Sequence, residues 1–240
     1  MRNAFADELT KISATDPRVI MLSGDIGNRL FDKFREQNPE RFFNCGVAEA
    51  NLIGVGSGMA MSGYVPVAYT ITPFITTRCF EQIRVDICYQ NVPVIVVAVG
   101  AGMAYAGLGP THHSCEDLAI LRALPNMTVV CPGDANEVRA ALRAAVEMGG
   151  PCYIRMGKKG EPLVHDAVPT DFRIGKAIEL RAGTDVCLLS TGNTLPAAVD
   201  AADRLRAPGH SVRLASFHTV KPLDEAYLQS AFADCGLVVT

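Results

Sequence analysis

Apolar residues along the chain form short β-branched runs that alternate with stretches of helical spacing. The runs predict strands at 18–25, 40–46, 65–70, 92–99, 127–132 and 151–157. The helical spacing predicts helices at 3–14, 31–37, 48–63, 74–90 and 135–149, with a further helix beginning at Ser114. Strands and helices of this length in alternation predict an α/β fold with a doubly wound parallel sheet.

A second, shorter alternation follows residues 158–172, whose proline, glycine and charge content is typical of a linker. Strands are predicted at 185–191, 211–217 and 236–240, separated by helices at 195–207 and 223–232. We therefore expect one α/β domain at 1–157 and a smaller one at 173–240. A parallel strand normally leads into another helix, so the second domain is expected to be incomplete. Either the chain was truncated or another chain completes it.

Composition excludes several classes of protein. The 240 residues are 49% hydrophobic and carry a net charge of −3, so neither nucleic acid nor an anionic membrane is an expected partner. The eight cysteines show no CxxC pair and no zinc-ligand spacing, which predicts reduced core residues in a cytoplasmic protein. The acidic, amphipathic N-terminus is unlike a signal peptide. The uncharged stretch 89–111 is interrupted by prolines and glycines, which favours a buried strand and loop over a membrane span.

Glu49 is the only charged residue between Arg41 and Arg78. Such an apolar segment is expected to be buried, and burial disfavours the charged form of a carboxyl group. We therefore expect a buried neutral acid that can donate a hydrogen bond, a property useful to an enzyme. The alternative is an ordinary glutamate in the first turn of a helix, where the helix dipole favours it. The three glycines in helix 48–63 predict that another backbone packs closely against it.

Polar loops follow four of the predicted strands, at 24–25, 45–49, 70–74 and 100–114. Loops at the carboxyl ends of parallel strands cluster at one sheet edge, where ligands bind. His112 and His113 lie in the last loop and can exchange protons near neutral pH. The alternative is a loop whose histidines bond locally. The chain has no phosphate-binding glycine motif, no nucleophile elbow and no metal-ligand spacing, a combination that suits an uncharged heteroaromatic ring.

Several segments together resemble the thiamine diphosphate enzymes of the transketolase family. The pyrimidine-binding segment of that family is similar to FFNCGVAEANLIGVGSGMAMSG. Its Gly-Pro-Thr-His segment, with the following helix and strand, is similar to AGLGPTHHSCEDLAILRALPNMTVVCPGDANEV. Its C-terminal domain is similar to TGNTLPAAVDAADRL and VRLASFHTVKPLD. The likeness runs from about residue 2 to the end, and it most resembles the separately encoded C-terminal half of a split transketolase.

The resemblance implies roles for six residues. Glu49 matches the glutamate that hydrogen-bonds N1′ of the aminopyrimidine, and Phe74 matches the aromatic residue stacked on that ring. Ile71 and Arg78 lie in the same segment and are expected to contact the cofactor. His112 matches the histidine that faces the substrate and the thiazolium ring, and His113 is expected beside the substrate. For Phe74 the alternative is core packing.

Two features depart from the sugar transketolases. Gly107 and Leu108 replace an acidic pair that contacts a substrate hydroxyl, and His113 replaces the usual glutamine. The pocket is therefore expected to be less polar at that point. A modified sugar, a deoxy substrate or a different ketol donor becomes a candidate beside the ordinary sugar phosphates.

The resemblance also implies a partner. In the family, a separate domain carries the Gly-Asp-Gly…Asn segment that binds Mg²⁺ and the diphosphate, and nothing in this sequence matches it. We expect a separate N-terminal subunit to supply that site, in an α2β2 assembly that transfers a two-carbon ketol unit between a ketose and an aldose. Three alternatives remain: the β subunit of a 2-oxoacid dehydrogenase, an enzyme like deoxyxylulose-phosphate synthase, and a non-catalytic assembly or regulatory subunit.

Overall fold

The computed structural model describes residues 1–27 and 29–240. Its strands are β1 (Val19–Ser23), β2 (Phe42–Asn44), β3 (Val65–Ile71), β4 (Ile95–Val99), β5 (Thr128–Val130), β6 (Cys152–Met156), β7 (Ile178–Arg181), β8 (Val186–Ser190), β9 (Val212–Ser216), β10 (Thr219–Lys221) and β11 (Leu237–Val239). Its α-helices are α1 (Arg2–Thr15), α2 (Asp32–Gln37), α3 (Glu49–Met61), α4 (Thr72–Ile75), α5 (Phe80–Gln82), α6 (Asp117–Ala123), α7 (Ala135–Met148), α8 (Leu195–Arg206) and α9 (Glu225–Asp234).

The larger sheet has seven strands in the order β10-β5-β6-β4-β3-β1-β2. All neighbours are parallel except β10 and β5. The central strand β4 is buried along its whole length, as expected of a strand covered by helices on both faces. The smaller sheet has the order β11-β8-β9-β7. The predicted fold class, a parallel α/β domain with a second, smaller α/β unit, is confirmed.

Two apolar clusters cover the opposite faces of the larger sheet. The first joins α1 and α7 to one face and includes Phe5, Leu9 and Leu142. The second joins α3 and the π-helical segment Ile83–Tyr89 to the other face. A fully buried side chain of this size stabilises the fold by roughly 1.5–3 kcal/mol. Apolar packing on both faces therefore stabilises the larger sheet, from whose carboxyl edge the loops extend.

The small strands β7 and β10 have no counterpart among the predicted elements. β10 lies beyond the predicted linker, yet it pairs antiparallel with β5 and so extends the larger sheet. β7 pairs antiparallel with β9 at the edge of the smaller sheet. Chain from the predicted second domain therefore belongs to both sheets. The boundaries 1–157 and 173–240 stay a prediction.

The predicted continuous helix at 74–90 is wrong. Helix α4 stops at Ile75, and the chain turns before α5 and the π-helical segment continue to Tyr89. At the break, two threonine hydroxyls bond to backbone carbonyls four residues back, a contact that often bends helices. Thr76 donates to the carbonyl of Thr72 at 2.7 Å, and Thr77 donates to that of Pro73 at 2.9 Å. The turn brings Arg78 to the sheet edge.

Two predicted helix starts have different outcomes. The helix predicted from residue 135 begins there, and Asp134 caps it, accepting from the backbone N–H groups of Asn136 and Glu137 at 2.9 and 2.8 Å. Ser114 does not begin a helix, because its backbone pairs with that of Gly102 in a short antiparallel bridge. Helix α6 begins three residues later. Within the part of the chain that the structure describes, no helix is long and apolar enough to cross a bilayer.

Candidate active site

Glu49 is the first residue of α3, and only 2% of its side chain is exposed. The Arg78 Nη1–H group donates to Glu49 Oε2 at 2.7 Å. Its location in the first turn of a helix and this ion pair both compensate the cost of burying a carboxylate. The predicted burial is confirmed. The expectation of a buried neutral acid did not include this ion pair with Arg78.

An opening next to Glu49 exists because residue 24, at the end of β1, has no side chain. A Cβ atom on Gly24 would lie 3.0 Å from Thr70 Cβ, 3.1 Å from Thr70 Oγ1 and 3.6 Å from Glu49 Cγ. The Gly24 N–H group donates to the Tyr69 carbonyl at 3.1 Å, which fixes the backbone there. The end of β1, the end of β3 and the start of α3 therefore surround one small space at the carboxyl edge of the sheet.

Aromatic and cationic side chains form a row along this edge. The Arg78 guanidinium lies 4.5 Å from the Phe74 ring centroid, and the rings of Phe74 and His112 are 5.0 Å apart, edge to face. The Tyr105 ring lies 5.9 Å from His112, and Lys158 Nζ lies 4.4 Å from the Tyr105 centroid. Contacts of both kinds are attractive. The row, Arg78–Phe74–His112–Tyr105–Lys158, brings the predicted residues Phe74, Arg78 and His112 together with Glu49.

The two histidines differ in their bonding. Nδ1 of His112 lies 2.9 Å from the Thr111 hydroxyl, which leaves Nε2 available to a ligand. His113 Nε2 donates to the carbonyl of Ala106 at 3.2 Å, a bond within its own loop. His112 also bonds locally through Nδ1, and its role facing a substrate stays a prediction. His113 follows the alternative of local bonding, and its contact with a substrate stays a prediction.

Two neighbours of the site are less suited to chemistry. Ile71 packs against the cluster on the α1 and α7 face, away from the helix that carries Glu49. The structure does not bring it beside the acid, and its contact with a cofactor stays a prediction. Burial, with a smaller effect of the Glu49 charge, raises the pKa of the Cys79 thiol to about 12. Cys79 is therefore not a nucleophile at neutral pH.

Tyr105 and Lys158 belong to the row but are not among the residues predicted from the sequence. Lys158 falls in the predicted linker, although it lies just after β6, whose carboxyl end reaches the same edge as β4. That position after a parallel strand is the signal that could have identified it. Tyr105 has no such signal, because its contact with His112 depends on how the loop after β4 folds.

A buried ion pair holds the base of the His112 loop. Arg155 Nε and Nη2 donate to the two carboxylate oxygens of Asp117 at 2.8 and 3.3 Å, and the Tyr153 hydroxyl donates to Oδ2 at 2.6 Å. Asp117 is fully buried. The Arg155 guanidinium also lies 3.8 Å from the point that a Cβ on Gly102 would occupy. Both ends of the segment that carries His112 thus meet at Arg155.

Family models match nearly the whole chain. The transketolase pyrimidine-binding domain matches residues 1–161, and the transketolase C-terminal domain matches residues 175–240. The chain belongs to the transketolase family. Members of this family are thiamine diphosphate-dependent enzymes, and this transketolase-family chain is similar to subunits of split transketolases.

Three similar proteins illustrate the relationship. A subunit of the apulose-4-phosphate transketolase of Phocaeicola vulgatus is 32% identical over all of this chain and 77% of its own length. The 6-deoxy-6-sulfo-D-fructose transketolase subunit of a Clostridium species is 35% identical over all of this chain and 74% of its own length. A solved split-gene transketolase, an inactive tetramer of β chains, is 37% identical with a TM-score of 0.90, covering all of this chain and 78% of its own.

The residues present fit the pyrimidine half of the family's cofactor. Gly24 leaves space beside a buried carboxylate, and the half-buried Phe74 offers a ring at the same edge. Only one Glu49 oxygen, Oε2, is bound by a protein group within residues 1–27 and 29–240. In that part of the chain, no cluster of three or more His, Cys, Asp or Glu side chains could hold a metal ion.

Proposed function

We propose that this chain is one subunit of a thiamine diphosphate-dependent transketolase that transfers a two-carbon ketol unit between a ketose and an aldose. One observation carries the proposal: a glutamate buried at a helix start, with one carboxylate oxygen held by Arg78 and the other not bound by any described residue. The identity with transketolase subunits over the full chain supports it.

In this proposal, each residue has a distinct task. Glu49 holds a hydrogen between its carboxyl group and N1′ of the aminopyrimidine, and Phe74 stacks on that ring. His112, with its free Nε2, binds or moves a proton on the substrate side. Arg78 keeps the Glu49 carboxylate in place when no ring is bound. The cofactor itself supplies the electron sink for carbon–carbon bond cleavage.

The proposed enzyme needs a partner chain. The sequence has no motif for a diphosphate cradle, so we propose that the diphosphate and Mg²⁺ are held by a separate N-terminal subunit. The proposed assembly is α2β2. The names of the similar proteins, which include an apulose-4-phosphate transketolase subunit and a split-gene transketolase, support a two-chain enzyme.

The proposed substrate is a sugar phosphate or a modified sugar. Leu108 is 57% exposed in the loop that carries His112, where the family resemblance leads us to expect an acidic residue. An apolar group there disfavours a hydroxyl at the neighbouring substrate carbon, because that hydroxyl would lose a hydrogen bond. The relatives named for apulose 4-phosphate and 6-deoxy-6-sulfofructose also use unusual sugars, which supports this class.

The test is a comparison of Glu49→Gln with wild type in the complex reconstituted with the N-terminal subunit. We expect ketol transfer to fall roughly 100- to 10,000-fold, the range lost with a general acid–base group. The matched control is Glu81→Gln, which removes an exposed glutamate paired with Arg84 at 3.0 Å and should keep full activity. Wild-type turnover by Glu49→Gln, or a wild-type complex that does not bind thiamine diphosphate, would contradict the proposal.

A further inference from the structure

The Thr70 hydroxyl is a buried donor without a partner among the described residues. Most buried polar groups in proteins are hydrogen-bonded, so an exception needs a reason. The neighbouring threonines satisfy this rule. Thr72 donates to the Val99 carbonyl at 3.0 Å, and Thr76 donates to the Thr72 carbonyl at 2.7 Å. Thr70 is therefore the exception among the buried threonines of this segment; the Tyr69 hydroxyl, on the opposite face of β3, also has no partner among the described residues.

The Thr70 hydroxyl lies near the Glu49 side chain. Thr70 Oγ1 and Glu49 Cγ lie 3.1 and 3.6 Å from the same point, the vacant Cβ position of Gly24. Both side chains are therefore on the same face of the sheet and at the same small opening. Glu49 Oε2 is turned toward Arg78, while Oε1 accepts no hydrogen bond from the described residues. Thr70 is thus the unpartnered hydroxyl on the side of Glu49 that faces Gly24.

We propose that Thr70 is a positioning residue for Glu49, and this rests on the proposed function. Its hydroxyl is the second hydrogen-bond partner of the Glu49 carboxyl group, used when that group leaves Arg78 to meet the aminopyrimidine. A hydroxyl both donates and accepts, so it can serve the carboxylate and the carboxylic acid alike. Arg78 can only donate, and so it cannot accept the O–H of the carboxylic acid. A glutamate that gains and loses a proton needs a partner of the first kind.

The test uses Thr70→Val, which removes the hydroxyl at nearly constant shape, and Thr70→Ser, which keeps it. Three quantities are measured: the melting temperature of the chain alone, the affinity of the reconstituted complex for thiamine diphosphate with Mg²⁺ by calorimetry, and the pH profile of ketol transfer. We expect Thr70→Val to keep or raise the melting temperature, because the lost hydroxyl had no partner. We expect its dissociation constant to rise about tenfold, the effect of one hydrogen bond, and its pH profile to shift. Thr70→Ser should resemble wild type.

A remote control separates positioning from simple stability. Thr10 is also buried, but its hydroxyl donates to the Ala6 carbonyl at 2.7 Å in α1. Thr10→Val should therefore lower the melting temperature and leave cofactor affinity unchanged. The inference is overturned if Thr70→Val binds thiamine diphosphate with wild-type affinity and an unshifted pH profile, which would leave only a water as the partner of Thr70. It is also overturned if Thr70→Val behaves like Thr10→Val. If the wild-type complex does not bind the cofactor at all, the proposed function fails as well.

Discussion

Gly24 matters for the site through the side chain it lacks. Its backbone conformation is open to any residue, so its value is not conformational freedom. The atom nearest to a Cβ at this position would be Thr70 Cβ, at 3.0 Å, and that atom is anchored directly to the backbone of β3. A rigid neighbour at that distance cannot rotate away. The opening beside Glu49 thus exists only because residue 24 carries a hydrogen atom in place of a side chain.

Gly24→Ala is expected to weaken cofactor binding more than it weakens the fold. The new methyl group must push β3 or fill the opening, and such overpacking costs roughly 1–3 kcal/mol. We expect at least tenfold weaker binding of thiamine diphosphate by the reconstituted complex, measured by calorimetry. The control is Gly58→Ala in α3, where no heavy atom of the described chain lies within 4 Å. Alanine there should stabilise the helix by about 0.5–1 kcal/mol in thermal unfolding of the chain alone. Unchanged affinity in Gly24→Ala would show that the opening is not used.

At the scale of elements, the local apolar pattern is sufficient to predict a strand when all of its residues are buried. The strands β1, β3 and β4 are mostly apolar runs that include β-branched residues, and each lies near its predicted bounds. The strand β10 has only three residues and forms by pairing with β5, a contact between distant parts of the chain. No periodicity in so short a segment can reveal it. The prediction of a helix at 74–90 fails for another reason, since threonine hydroxyls interrupt an apolar pattern that is otherwise helical.

The candidate site divides in the same way. Glu49 is recognisable because it is one charge in a long apolar segment, and His112 and Phe74 are recognisable through family motifs. Thr70 and Tyr105 become visible only in three dimensions. A threonine in a strand is ordinary, and only the structure shows that its hydroxyl has no partner among the described residues. The ion pair of Glu49 with Arg78 likewise depends on the turn after α4, which the apolar spacing does not predict.

The buried pair Asp117–Arg155 is expected to be the main support of the loop between β4 and α6. In Arg155→Met the fully buried Asp117 carboxylate loses both guanidinium bonds and keeps only the Tyr153 hydroxyl. Removal of one member of such a pair costs about 3–5 kcal/mol, measured here by urea unfolding. The double variant Asp117→Asn with Arg155→Met should recover part of this loss, because no charge is left unpaired. Arg18→Met, which breaks an exposed pair with Asp16, should leave stability nearly unchanged, because solvent screens that pair. An equally small change in Arg155→Met would contradict this role.

At the scale of the whole molecule, the two sheets are joined around His218. Its carbonyl accepts from the Cys131 N–H group at 2.6 Å, and its ring stacks on Phe172 at 3.8 Å. The ring is fully buried, and Nε2 has no partner among the described residues. Burial lowers the pKa of His218 to about 4; Glu137 opposes this shift, His165 adds to it and Asp171 opposes it. The junction therefore requires a neutral imidazole.

This junction predicts a loss of stability in mild acid. The unfolded chain protonates His218 near pH 6.5, whereas the folded chain does so only near pH 4, so acid favours the unfolded state in that window. This pKa shift corresponds to about 3 kcal/mol of the free energy of unfolding. That stability is present above pH 6.5 and is lost as the pH falls to 4. Burial alone would lower the pKa of His165, but the hydrogen bond and the charge of Glu137 raise it above its usual value. The contribution of protonated His165 to stability is therefore complete below pH 6.5 and does not change in this window. Urea unfolding at pH 7 and pH 4.5 should show the loss in wild type and in the control His210→Asn, whose imidazole is exposed. His218→Asn should remove most of the difference in unfolding free energy between pH 7 and pH 4.5. If that difference stays as in wild type, the acid sensitivity belongs to another group.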